Sequence, residues 1–203
     1  METRLDKDHS NEAIAKILKE SFESIHYAFK ANVPNYDYSG TTCCSVVFNG
    51  HRITTANVGD SRAILINNKR KVTQLTQDNK PDQNEEMARI LAKGGRVEAL
   101  KLADGSTGPS RVWLKDTQVP GLAMSRSIGD YVAHSVGVTH DPIIDHYRVA
   151  PEDQICIIAS DGVFEFMSNQ NVANIAIAHY ETGGAEAAAN AIVRRATHLW
   201  RDK

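Results

Sequence analysis

The apolar positions of the chain change period along its length, and the changes mark out most of the elements. Over residues 10–31, Ile14, Ile17, Leu18, Phe22, Ile25 and Phe29 recur at the spacing of one helix face, with Ser10 placed to cap it. This predicts a long amphipathic helix lying on something flat, such as a sheet. Residues 32–38, broken by Pro34, read as a connection. Over residues 41–75 the period shortens to that of strands, roughly 42–48, 53–58, 62–66 and 71–75. Asn49-Gly50, Gly59-Asp60 and Asn67-Asn68 separate these runs and predict a meander in which Asp60 lies at the rim opposite the other two turns.

Farther on, Asp82 and Glu85 have capping-box spacing ahead of Met87, Ile90 and Leu91, and Gly94-Gly95 closes that helix. Residues 97–120 read as irregular. After residue 168, Ser168 or Asn169 caps a helix bearing Val172, Ile175, Ala176 and His179, which Gly183-Gly184 ends. A last helix turns Ala188, Ala191, Ile192, Ala196 and Leu199 inward and Arg194, Arg195 and Arg201 to solvent.

The chemistry concentrates in residues 155–168, I-C-I-I-A-S-D-G-V-F-E-F-M-S. The unbroken apolar run 155–159 predicts a strand buried on both faces. Asp161 follows at once. An isolated charge taken out of water costs several kcal/mol, roughly, unless a cation or donor meets it. Gly162 allows the backbone to turn, and Glu165 returns a second carboxylate within one turn. A hard cation is the obvious partner; an Asp that ends the strand and caps the next helix is the alternative.

Other polar groups read as structural. Ser125 and Ser127 lack the Gly-flanked elbow or Ser-x-x-Lys of a serine nucleophile. His134, His140 and His146 recur every six residues, which puts them on no common face of one element and suits no zinc template. They read as solvent-exposed loop histidines.

Composition narrows the class. The 203 residues carry a net charge of −2, 41% hydrophobic and 24% charged residues, which makes no electrostatic case for nucleic acid or an anionic membrane. Three cysteines, two of them adjacent (Cys43, Cys44) and one (Cys156) in the apolar run, suggest no disulfide framework. Met1-Glu2-Thr3-Arg4-Leu5-Asp6 opens no apolar leader. The expected setting is intracellular, cytoplasmic or nuclear, with no obligate partner inferred.

Four segments in order resemble the metal-dependent serine/threonine protein phosphatases of the PPM family, also called type 2C. They are Ser39-Gly40-Thr41-Thr42, Asn57-Val58-Gly59-Asp60-Ser61-Arg62-Ala63, residues 121–130 (G-L-A-M-S-R-S-I-G-D), and Ala159-Ser160-Asp161-Gly162-Val163-Phe164-Glu165. Gln77-Asp78-Asn79-Lys80-Pro81 is similar to a fifth, with Asn79 where the family commonly has His. The resemblance implies an α+β fold: an α-β-β-α sandwich of two mainly antiparallel sheets flanked by helices, with a metal centre at one rim. It implies Asp161 as a ligand of a core pair of Mg²⁺ or Mn²⁺ ions, with Asp60 at a third, weaker site. Glu165 stands where the family usually has Asp and is the third candidate. The implied reaction is hydrolysis of phosphoserine and phosphothreonine in phosphoprotein substrates by metal-activated water.

Two family features have no counterpart. The phosphate-binding Arg and the Asp-Gly-His-Gly-Gly segment with its bridging Asp are not read near the start, nor is the closing Asp-containing strand near Arg201-Asp202-Lys203. Residues 1–203 are therefore expected to be a single domain of this fold, incomplete at both ends. The alternatives are a pseudophosphatase serving as a binding module and an inactive truncation. Arg126 is the nearest substitute for the missing Arg, and a structural ion pair with a neighbour such as Asp130 is its expected role.

Overall fold

A computed structural model describes residues 10–34, 36–101 and 105–202; the reading of Met1 to Asp6 lies outside them. In chain order the elements are α1 (Asn11–Asn32), β1 (Gly40–Thr41), β2 (Cys43–Asn49), β3 (Arg52–Val58), β4 (Arg62–Asn67), β5 (Val72–Gln74), α2 (Asn84–Ala92), β6 (Arg96–Lys101), β7 (Thr107–Trp113) and β8 (Pro120–Leu122). There follow β9 (Ile128–Gly129), α3 (Tyr131–His134), β10 (Ile143–Arg148), β11 (Asp153–Ala159), α4 (Asp161–Phe164) and α5 (Asn169–Arg201).

The four predicted strands exist, but they do not form a meander. β3 pairs with β2 and β10, whereas β4 pairs with β5 and β11, so Gly59-Asp60-Ser61 carries the chain from one antiparallel sheet to another. A two-residue Gly-Asp signal reads the same whether the next strand returns beside the last or crosses to a facing sheet. What decides is the alternation within the strands. In β3, Ala56 and Val58 face α1 while Ile53 faces the other sheet; in β4, Ala63 and Leu65 face inward while Ile64 and Ile66 face α5. Each strand thus buries both faces, which only a middle layer allows.

Four layers follow. α1 starts where the Ser10 hydroxyl accepts the Ala13 N–H at 3.1 Å, and it lays Ile14, Leu18 and Phe22 on sheet β10-β3-β2. Ile53, Ala63, Leu65 and Leu75, with Cys44, Val46 and Cys156, fill the space between the sheets. α5 covers sheet β11-β4-β5 through Val172, Ala173, Ala176, Ala188, Ile192 and Ala196. Gly184, at φ 72° and ψ −165°, breaks α5 where Gly183-Gly184 was expected to end a helix. Burying each of the larger aliphatic side chains contributes about 1.5–3 kcal/mol, so the layers are held mainly by these three interfaces.

Other expectations need correction. The buried face of α1 includes His26, while Ile25 is 49% exposed. β11 is not buried on both faces: it pairs only with β4 among the described residues, and Ile158 is 49% exposed at that edge. Residues 97–120 are largely ordered strand, forming sheet β6-β7-β8; their polar composition hid the alternation, and residues 102–104 lie outside the description. α2 starts after Gln83 rather than Asp82 and has no side-chain cap bond, because the Gln83 amide donates instead to the Asp78 carbonyl at 2.8 Å, and Glu86 rather than Glu85 turns into the fold. No helix among the described residues is long and apolar enough to cross a membrane.

Candidate functional site

The pairing of β4 with β11 sets the site. Arg62 lies opposite Ala159, so two residues farther out on each strand Asp60 and Asp161 leave the sheet at the same rim. Asp60 precedes β4 in the sheet-crossing turn and is 7% exposed; Asp161 opens α4 and is exposed. Glu165, also exposed, closes that turn by donating its backbone N–H to the Asp161 carbonyl at 2.7 Å. Trp200, near the end of α5, packs edge-on against Phe166 and donates its indole N–H to the Gly162 carbonyl at 2.8 Å. The end of the chain thereby braces the Asp161 turn.

The segments that carry the resemblance meet around this rim. Thr42 and Ser61 hydroxyls are 2.8 Å apart, and a Cβ on Gly59, whose φ is 101°, would fall 2.4 Å from the Thr42 methyl. Glycine is required there both by conformation and by space. Gly40 pairs with Gly129 across β1 and β9, and a Cβ on Gly40 would strike the Asp130 carboxylate at 2.0 Å. Asn79, fully buried, accepts the Gly59 N–H through its side chain at 2.8 Å, while its own N–H donates to the Gly59 carbonyl at 2.9 Å. Its carbonyl in turn accepts the Ser125 N–H at 2.9 Å. An amide at this position serves the turn that aims Asp60.

The cations near the rim are committed. Lys80 Nζ lies 2.6 Å from the Asp60 carboxylate. Arg62 grips Asp78 with two parallel bonds of 2.8 and 2.7 Å and donates to the Asn169 side chain at 2.6 Å. Arg126 does not pair with Asp130: its guanidinium goes to Glu86, at 2.7 Å for the closest contact, and to the Asp141 carbonyl. Glu86 is also held by Arg89 and by the Ser125 hydroxyl at 2.5 Å. Burial alone would raise the Glu86 pKa, but these bonds prevail and hold it at about 2.

The histidines depart most from expectation. His134 and His140 are half-buried and join His26 of α1, one ring nitrogen of each lying within 4.8 Å of the others. His26, His134 and His140 are the one such group of three among the described residues; Asp60, Asp161 and Glu165 do not form one. Spacing of six along the chain rules out a shared face of one element, not convergence from three. His26, one turn after Phe22 on the buried stripe, is the signal that was available. His146 lies apart on β10, with Nδ1 3.0 Å from the Thr54 hydroxyl. Burial lowers the pKa of His26, aided by the neighbouring rings, and that of His134, each to about 4, so both are neutral at pH 7.

Comparison with known proteins agrees with the resemblance. The family model "Protein phosphatase 2C" matches residues 1–199. "Probable protein phosphatase 2C 61" of Arabidopsis thaliana is 39% identical over 169 residues, 81% of this chain and 50% of that protein. "Probable protein phosphatase 2C 12" of Oryza sativa subsp. japonica is 38% identical over 206 residues, covering 96% of this chain and 51% of its own length. The chain thus spans about half the length of the curated relatives it matches. Among solved structures, a serine-threonine phosphatase 2C from Toxoplasma gondii superposes with TM-score 0.81 at 24% identity, over 98% of this chain and 66% of that one. A C. elegans sex determining protein does so with TM-score 0.76 at 20% identity, over 96% and 46%. At these identities the superpositions establish the α-β-β-α fold.

Proposed function

The chain belongs to the protein phosphatase 2C family, and from that premise we propose that it contributes to a metal-dependent site hydrolysing phosphoserine and phosphothreonine in proteins. The observation that carries the proposal is the β4–β11 register, which sends Asp60 and Asp161 out of one rim. We read residues 1–203 as one domain of this fold, with the segments that relatives carry beyond the match needed for full activity.

The donor set fits a hard cation. Asp161, Asp60 and Glu165 offer only carboxylate oxygens, and Mg²⁺ is usually held by one or two carboxylates with waters filling its octahedron. Their carboxylates are not gathered within 4.8 Å of one another, so one such ion would take one or two of them at a time with water completing its shell, and a bridged pair lies beyond this set. When bound, Mg²⁺ or Mn²⁺ supplies a Lewis acid for the phosphoryl oxygen and makes a coordinated water more acidic.

Each residue then has a task. Asp161, exposed at the mouth of β11, would anchor the ion, and the Trp200 and Glu165 bonds hold its turn. Asp60 would offer a second carboxylate to the ion in competition with the partly exposed Lys80 that now neutralises it. Glu165, one turn past Asp161, would add a third carboxylate to the same rim. Arg62 and Arg126 are bound to Asp78 and Glu86, so they position the rim and do not clamp phosphate.

The test is hydrolysis of a phosphothreonine peptide by the longest form of the protein, with Mg²⁺, with Mn²⁺ and with chelator. Turnover requires the divalent ion, and Asp161→Asn lowers it by about 100-fold or more, the scale of losing one preorganised electrostatic contact. Asp60→Asn raises the metal concentration needed. Metal-independent turnover, or an Asp161→Asn enzyme as fast as the parent, overturns the proposal.

A further inference from the structure

We propose that His26, His134 and His140 form a second metal site, for a nitrogen-preferring transition cation of the Zn²⁺ class, which pins α1 to the segment between β9 and β10. The three rings come from three places: His26 from the buried stripe of α1, His134 from the end of α3, and His140 from the connection to β10. One nitrogen of each lies within 4.8 Å of the others, where a tetrahedral ion with bonds of about 2.0–2.1 Å sets its ligands roughly 3.3 Å apart.

The hydrogen bonds leave lone pairs for an ion. His134 Nε2 is 2.9 Å from the Ser127 carbonyl; as the donor there it carries the ring proton and leaves Nδ1 with a free lone pair. A ligating imidazole has this arrangement, with its other nitrogen held by a carbonyl. His140 Nδ1 is buried without a hydrogen-bond partner, and a buried polar atom in that condition calls for an explanation that an ion supplies. Burial favours the neutral form of all three rings, the form that ligates.

Two features oppose the ion and define the movement it needs. Gly129 donates its N–H to His26 Nδ1 at 3.2 Å, a long bond that ligation gives up or redirects. The three rings are stacked, His26 lying 14° from His140 with centroids at 4.1 Å and 27° from His134 at 4.5 Å, and His134 13° from His140, so their in-plane lone pairs do not yet share one point. With His134 held by the Ser127 carbonyl, His140 on its connection and His26, released from Gly129, are the rings that turn. Glu23 and Asp141 bias its surroundings toward a cation, while Lys30 faces His26 and Arg89 faces His134. Asp141 is itself 3.4 Å from Lys19.

This site is separable from the carboxylate rim by ligand chemistry. Imidazoles select Zn²⁺, Co²⁺, Ni²⁺ or Cu²⁺, whereas carboxylates and water suit Mg²⁺ and Mn²⁺. Chelator-stripped protein titrated with Co²⁺ is expected to develop the visible absorption of a low-symmetry nitrogen-ligated ion, saturating at one ion per chain and reversed by Zn²⁺. The same titration is expected in Asp60→Asn/Asp161→Asn protein. His140→Ala, checked for folding by far-ultraviolet circular dichroism, weakens binding by about 100-fold or more, at least the upper range for losing a partner of a ligand. A rise of melting temperature with Zn²⁺, absent in His140→Ala, accompanies it. If the parent protein shows no Co²⁺ band and no Zn²⁺-dependent melting shift, the cluster is a polar stack and the proposal fails without any variant. A band unchanged in His134→Ala/His140→Ala protein overturns it equally.

Discussion

Lys80 places its ammonium 2.6 Å from the carboxylate of Asp60, so the buried acid at the rim is neutralised by the chain itself. A cation binding at Asp60 therefore competes with Lys80. Lys80→Met leaves that carboxylate short of a partner, and with Lys80 partly in solvent the cost is about 1–2 kcal/mol, below the usual figure for a fully buried pair. The variant is expected to melt lower than the parent in chelator and to recover stability more steeply as Mn²⁺ is added. Equal Mn²⁺ dependence in both proteins would show that Asp60 does not take part in binding.

Glu86 gives the fold a defined acid sensitivity. Its pKa stands at about 2 against an ordinary 4.5, because the hydrogen bonds from Arg89, Arg126 and Ser125 outweigh its burial. A carboxylate depressed on folding contributes stability in full above pH 4.5 and loses it as pH falls toward 2. A shift of this size is worth on the order of 3 kcal/mol. Urea unfolding of Glu86→Gln beside the parent is expected to show a gap at pH 7 that narrows by pH 3. A gap independent of pH would remove the charge from the explanation.

Much of the architecture was legible where a local cause acts alone. Ser10 caps α1 because a hydroxyl before an apolar stripe needs only the Ala13 amide three residues on. What local pattern did not determine was the partner of each strand. Gly59-Asp60 looks like a hairpin corner, and only the burial of both Ile64 and Leu65 reveals a crossing between sheets. At the rim, Asp60 and Asp161 were nominated from sequence, and the register sends both chain segments out of the same end of the β4–β11 pair without gathering their carboxylates into one group. Lys80 on Asp60, Glu86 on Arg126 and His26 on His134 and His140 join groups 20 to 114 positions apart, for which no local period exists.

The sheet edges predict how the chain behaves when expressed by itself. Phe48 on β2 and Ile158 on β11 are 58% and 49% exposed, and each strand is an edge among the described residues. Exposed apolar edge strands template pairing with other chains. Residues 1–203 alone are expected to elute above monomer size at micromolar concentration, and Phe48→Lys/Ile158→Lys to shift elution toward monomer. A protease-resistant monomer from the unaltered sequence would count against the edges being open.

The last prediction concerns rate. On the proposed reading Asp60, Asp161 and Glu165 would give oxygen ligands for one hard ion, whereas in-line displacement between two ions needs a bridging carboxylate as well. The guanidinium groups of the segments that carry the resemblance, Arg62 and Arg126, are each engaged by a carboxylate at 2.7 Å. Freeing either one exposes a buried or half-buried acid, so neither is released at low cost. Catalysis of this kind is positioning and electrostatics, and the missing contacts act together. Residues 1–203 alone are therefore expected to hydrolyse an aryl phosphate with Mn²⁺ at least about 100-fold more slowly than the longest form of the protein, the scale of losing one such contact. The measurement is turnover of both forms at saturating Mn²⁺, with Asp161→Asn in each. Comparable turnover, abolished by Asp161→Asn, would mean that the carboxylates of this chain assemble a complete site by themselves.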